Sequence, residues 1–395
     1  MKIFNLRKEH KEGKCFLKCN LEASFTSVKE IWFSVDEKYE DWLTSDVYDS
    51  FLIASIYPAM FYHENVIIQG AVSERLYFNV KNYIQDIILA FHPEMRKSVV
   101  KVDSFASANQ VENNVGTGFS AGVDSFTTFY DHYETETDEK YKISALFFFN
   151  VGSHGGGGDI ARQRFKNRYN YLSSFPQSIG IPYIGLDSNL FDIYLNPWES
   201  PAGALCRACA ILLFQRKVSK YFAAGSNSYS ELFWFPFKKD IAFREMTFYD
   251  VYLNSLLSTE ALEIIDDGNQ YSRSEKIKRI IDYAPVRKYL NVCVNHRKDN
   301  ITAKNCSFCS KCLRTLIAID ALNKLDEYAN IFDIARYKKI RFWYKCRCKV
   351  YYNTDEYAKD NVDFAIAHGL KFPPYIIAYI CHFSYLACRK LHRLM

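Results

Sequence analysis

The sequence predicts an α/β fold, a mainly parallel sheet sandwiched by helices. From about residue 111 to 290, short apolar segments of strand length alternate with small-polar loops and longer helical stretches, the pattern of a sheet built from crossover connections. Several loops open on Gly, Ser and Asp where strands end, the edge at which sheets of this kind hold ligands. The chain has 395 residues, 49% hydrophobic and 24% charged, which is long enough for two or three domains and excludes a disordered chain.

In chain order, residues 1–110 read as an N-terminal α+β module without a catalytic motif. Residues 15–21 and 31–35 alternate as strands, 48–61 form an apolar helical stretch, 66–70 a strand, and 73–88 a helix for which Ser73 supplies the N-cap. The module is expected to shape a pocket or to offer a surface to a protein partner. The parallel part, 111–290, opens with Val115-Gly116-Thr117-Gly118-Phe119, a short or irregular first strand, then a turn and a helix over 125–133. A strand over 143–150 follows, then the glycine-rich loop 152–159, a helix over 160–172, a strand over 183–186, a helix over 205–221, a strand over 221–224 and the turn 225–228. That glycine-rich loop is expected to act as a mobile lid, with His154 and Asp159 as candidates to touch a ligand. Ser272 starts another helix, four cysteines fall within 291–320, and residues 321–395 form a basic, aromatic, helical extension. Its last apolar stretch, 375–381, followed by Arg389, Lys390 and Arg393, is too short to span a membrane and is expected to pack on its own domain rather than lie on a lipid surface.

Two motifs carry chemistry. In Ser120-Ala121-Gly122-Val123-Asp124-Ser125, Gly122 lets the backbone approach an anion, and the following helix turns its unpaired N–H groups and positive dipole end toward it. Cys293, Cys306, Cys309 and Cys312, spaced C-x12-C-x2-C-x2-C, can close a tetrahedral shell of thiolates. Four sulfurs on Zn²⁺ leave no open position, so the expected role is structural, with an iron–sulfur cluster as the alternative. No secretory signal and no run of about 18 apolar residues occurs, so a cytoplasmic protein without a transmembrane segment is expected. In that reducing setting, the other cysteines, including the pairs Cys206/Cys209 and Cys346/Cys348, read as buried thiols. A net charge of +5 from 50 basic and 45 acidic residues gives no clear nucleic-acid footprint.

With these two motifs in this order, residues 111–320 resemble the PP-loop (N-type) ATP pyrophosphatase superfamily, and within it the 7-cyano-7-deazaguanine synthase branch of queuosine biosynthesis. The superfamily loop S-G-G-x-D-S matches at Ser120, Gly122, Asp124 and Ser125, with Ala121 in the place of the first glycine. Cys293, Cys306, Cys309 and Cys312 match the zinc site of the branch. The resemblance implies an adenine nucleotide alpha hydrolase-like fold, with ATP held by Ser120, Ala121, Gly122, Val123, Asp124, Ser125, Gly225 and Ser226. It also implies that Asp124 meets Mg²⁺ or the leaving pyrophosphate and that cleavage falls between the α and β phosphates. Ser272-Arg273-Ser274-Glu275 fits the family's S-K-x-E with Arg273 in the lysine position, while Ser272 and Glu275 also read as a capping box. The catalytic expectation is therefore Ser120, Asp124 and Arg273.

The activity implied is that of a carbon–nitrogen ligase. It would adenylate a 7-deazaguanine-like carboxylate, release pyrophosphate and let ammonia or an amine displace AMP, and an oligomer is compatible with this. Two alternatives stand beside it: a PP-loop enzyme of RNA thiolation, and a non-catalytic nucleotide-binding component of a multi-protein defence or modification system, motivated by Ala121 and the short first strand.

Overall fold

The computed structural model describes residues 1–107, 112–152, 154, 158–194, 202–234, 247–293 and 305–394. The chain divides into two compact units, one made of Met1–Phe119, Asp131–Gly225 and Pro236–Asp267, the other of Ser120–Tyr130, Ser226–Phe235 and Gly268–Met395.

The first unit holds one ten-stranded sheet. Residues 1–110 contribute β1 (Lys2–Lys11), β2 (Lys14–Glu22), β3 (Glu30–Asp36), β4 (Val66–Val72) and β5 (Val100–Phe105). The rest contributes β6 (Asn114–Gly118), β7 (Ala145–Phe149), β8 (Tyr183–Ser188), β9 (Val218–Ala224) and β10 (Glu263–Asp267). The order is β10-β9-β6-β7-β8-β3-β2-β1-β4-β5. The strands β6 to β10 pair parallel with one another, as the alternation of strand and helix predicts. Counted from β6, their spatial order is 3-2-1-4-5, a doubly wound arrangement whose direction reverses between β6 and β9.

The N-terminal residues expected as a separate module are part of this sheet. β3 pairs antiparallel with β8 through Phe33–Ser188 and Ser34–Asp187. Asn189 fixes the junction, accepting from the Trp32 N–H at 2.8 Å and donating to the Glu30 carbonyl at 2.8 Å. The pairing gives partners to backbone groups of β8 that would otherwise form an open edge. The helix Asp49–Phe61 is buried along nearly its whole length, as an all-round apolar sequence requires, and packs on the helix Ala202–Leu212 of the same unit. Ser73 does not cap its helix. Its hydroxyl and N–H both go to the buried Asp49 carboxylate, which also accepts from Gln215.

The irregular look of the first parallel strand has a steric cause. A Cβ on Gly116 would lie 2.6 Å from the Phe147 ring of β7, and one on Gly118 would lie 2.8 Å from the Tyr221 hydroxyl of β9. The glycines therefore make room for aromatic neighbours in a strand whose ladders to β7 and β9 are both formed. The helix expected over 205–221 stops at Leu212, and β9 starts at Val218, earlier than its apolar residues suggest.

The second unit is helical. The helix Arg273–Ile280 packs on Val123–Phe129, on Ser310–Ala321 and on Glu356–Ala367. Asn361 of Glu356–Ala367 ties its helix to Arg273–Ile280, Ser310–Ala321 and Ile334–Val350, donating to Ser274 Oγ at 3.3 Å and to the Arg314 carbonyl at 3.1 Å and accepting from the Tyr344 hydroxyl at 2.9 Å. Arg314 lies over the Tyr357 ring, 3.8 Å from its centroid. Such a satisfied polar network fixes one helix arrangement where apolar packing alone tolerates several.

Candidate functional site

The 120–125 segment belongs to the second unit and forms a tight turn that opens a helix. Gly122 is the N-cap, and the helix runs Val123–Phe129 into a π turn at Tyr130–Glu134, starting two residues before the expected Ser125. Ser120 and Ser125 face each other, with their hydroxyl oxygens 3.4 Å apart, and Ser125 Oγ donates to the Gly122 carbonyl at 3.2 Å. Ala121 adopts φ +54°, the left-handed region, and is fully buried. A glycine takes that conformation without steric cost, so Ala121 occupies a position whose backbone calls for glycine. Its carbonyl accepts from the Asn291 N–H at 2.7 Å, which closes the turn.

Asp124, one residue into the helix, is ringed by cations. Arg273 donates to its Oδ2 at 2.5 Å and Lys276 to its Oδ1 at 3.4 Å. Both cations are buried, Arg273 at 5% exposure and Lys276 at 0%, and Lys311 adds to the local positive field. Burial alone would raise the Asp124 pKa. Arg273, Lys276 and Lys311 overcome it and pull the carboxyl down to about 2. Arg273, Lys276 and Lys311 thus bring positive charge to the start of the Val123–Phe129 helix. Asp124 and Arg273 were legible in the sequence. Lys276, three residues along the same helix face as Arg273, was missed although that spacing is a signal, and Lys311 had none.

The same helix presents its other side to a cleft of about 520 Å³ lined by Ser228, Glu231, Ser272, Glu275, Asp360 and His368 among others. Ser272 and Glu275 form the expected capping box in both directions, so their positions have a structural reason. Glu231 has one buried carboxylate oxygen without a hydrogen bond, and burial pushes its carboxyl up to about 7. Ser274 donates from N–H and hydroxyl to Asp360, at 3.0 and 2.7 Å.

The four cysteines converge. The sulfurs of Cys293, Cys306, Cys309 and Cys312 lie within 4.8 Å of one another, a separation one ion can bridge. The Cys309 N–H donates to Cys306 Sγ at 3.3 Å, and Ser307 between them takes φ +61°. Asn305 fastens the two arms of the site: its Oδ1 accepts from the N–H groups of Val292 and Cys293, and its Nδ2 donates to the carbonyls of Leu290 and Ile331. This second layer was not visible as a motif. Four sulfurs at these separations could hold a metal ion such as zinc.

Gly225 ends β9 in the first unit and donates its N–H to the Asp267 carbonyl, whereas Ser226 begins a segment of the second unit. His154 is buried against the rings of Phe148 and Phe165, and Asp159 is exposed at the start of its helix beside Arg162. The glycine-rich lid expected between them lies largely outside the described residues. Cys206 and Cys348 are buried thiols that burial raises to about 12. No protein-family profile, curated protein or solved structure matches the chain.

Proposed function

We propose that the chain is an ATP-dependent carbon–nitrogen ligase that adenylates a carboxylate, releases pyrophosphate and passes the acyl group to ammonia or an amine. The reading rests on the resemblance at Ser120, Gly122, Asp124 and Ser125. One observation carries it: the turn that opens the Val123–Phe129 helix adjoins Asp124, on which Arg273, Lys276 and Lys311 all act. Helix-start N–H groups, two facing hydroxyls and nearby cations are what a triphosphate needs. In this role Ser120, Ser125 and the turn amides hold phosphate oxygens. Arg273 and Lys276 neutralise charge on the leaving pyrophosphate, and the cysteine site braces the helix that carries Lys311. The acid is a 7-deazaguanine-like carboxylate by resemblance.

A second reading, a nucleotide sensor without turnover, is favoured by the occupancy of Asp124. Both of its oxygens are engaged by cations, so contact with Mg²⁺ requires Arg273 or Lys276 to let go. Magnesium-dependent pyrophosphate release from ATP with 7-carboxy-7-deazaguanine, compared between the native chain and Asp124→Ala, separates the two. Acid-dependent AMP and pyrophosphate from the native chain alone sustain the ligase. ATP binding without cleavage across several carboxylates sustains the sensor.

A further inference from the structure

The C-terminal helix Tyr375–Leu394 packs with one side only. Its inward residues are Ala378, at 0% exposure, and His382, at 5%, while Tyr385 stacks on Trp343 of the helix Ile334–Val350 with centroids 5.1 Å apart. Its outward surface carries Tyr375, Ile376, Tyr379, Ile380, Phe383 and Leu386, all more than two-fifths exposed, with Ile376 at 72% and Ile380 at 60%. No charged residue occurs from Tyr375 to Cys388. Packing on its own domain, the sequence-based expectation, therefore accounts for only the narrow side of the helix.

The neighbouring helix has the opposite character. Ile334–Val350 contains Arg336, Lys338, Lys339, Arg341, Lys345, Arg347 and Lys349 and no Asp or Glu. The contacts Trp343–Tyr385 and Tyr351–His382 run the two helices antiparallel, so the exposed Arg336, Lys338 and Lys339 stand toward the C-terminal end of the last helix. Asp333 is occupied in capping the Arg336 N–H at 2.9 Å. An uncharged stripe with two tyrosines, bordered at one end by the exposed Arg336, Lys338 and Lys339 of the neighbouring helix, is complementary to an interface that is apolar inside and anionic at its surface.

We propose that these two helices form a docking face for an anionic lipid bilayer, on which the C-terminal helix lies in the plane of the headgroups. No described helix is long and apolar enough to cross a membrane, so the attachment is peripheral. Insertion of the isoleucine and phenylalanine side chains supplies a charge-independent part of the affinity, and the lysines supply a part that salt screens.

Flotation of the full chain with phosphatidylcholine vesicles, with and without about one-third phosphatidylglycerol, tests this. The chain is expected to float with the anionic vesicles at low salt and to be released as salt rises. Lys338→Ala/Lys339→Ala should weaken binding on the order of twentyfold, at about fivefold per lysine. Ile376→Glu/Ile380→Glu should weaken it by on the order of tenfold or more even at low salt, with an unchanged circular dichroism spectrum. Failure to float with anionic vesicles overturns the proposal, as does flotation insensitive to Ile376→Glu/Ile380→Glu. A dimer in light scattering that this double variant dissolves, without flotation of the native chain, assigns the stripe to a second copy instead.

Discussion

At the residue scale, Asp124 and Glu231 are carboxyls of the second unit displaced in opposite directions, and their pH signatures differ in sign. Asp124 is held at about 2 against an ordinary 3.8, so its contribution to stability is complete above that ordinary value and is lost as pH falls through about 2. Glu231 stands near 7 against 4.5, so the native state holds its proton more tightly than the unfolded chain, and stability falls as pH rises from about 4.5 to about 7. Urea unfolding between pH 5 and 8 should show a shallower decline for Glu231→Gln than for the native chain, while Asp124→Asn should lower stability across that whole range by about 3–5 kcal/mol, because it strands buried Arg273 and Lys276. An unchanged pH slope in Glu231→Gln would contradict this account of the carboxyl. Ala121 is the second residue-scale case. Its left-handed backbone costs about 1–2 kcal/mol that glycine avoids, against an entropic cost to glycine of about 0.5–1 kcal/mol, so Ala121→Gly is expected to be neutral or stabilising by up to about 1 kcal/mol in a thermal melt. A loss of stability would mean that packing of the buried methyl outweighs the backbone strain.

At the scale of elements, the cysteine site and the helix it starts behave as one device. Cys309 is the N-cap of Ser310–Ala321 and Cys312 lies in its first turn, so a metal held by the four thiols would fix where that helix begins, and Lys311 sits between two of the candidate ligands. Elemental analysis of the purified chain should find one zinc per molecule. Cys309→Ser, or prolonged chelation, should lower the melting temperature by at least about 5 °C and increase amide exchange in that helix. Iron with a visible charge-transfer spectrum would replace zinc by a cluster, and a metal-free chain of native stability would remove the metal from the account. The capping box at Ser272 and Glu275 shows the contrasting case, a helix start satisfied by its own side chains, which was legible because both partners lie within one turn.

For the molecule as a whole, the sheet is the decisive object. Residues 1–110 supply half of its strands and are bound to the rest through β3 and β8 and through the Asp49–Phe61 helix. Expressed alone, residues 1–110 are expected to bind hydrophobic dyes and unfold without a cooperative transition, since Phe33, Phe51, Leu52 and Ile56 lose the surfaces that cover them. A cooperative, dye-free fragment would show instead that these residues fold by themselves.

The sequence by itself determined those features whose causes are local. The strand and helix alternation fixed the parallel order of β6 to β10, the run of small residues fixed the turn at Ser120, and short spacing made Cys306, Cys309 and Cys312 recognisable as one ligand set. Tertiary structure alone decided what depends on residues far apart in the chain. The glycines of β6 are explained by Phe147 and Tyr221, the charge on Asp124 by Lys276 and Lys311, the anchoring of Cys293 by Asn305, and the joining of the N-terminal strands to the sheet by a two-residue pairing with β8. Periodicity reports which side of an element is apolar, whereas the identity of the surface that covers it is set by long-range packing, which leaves no periodic trace in the chain.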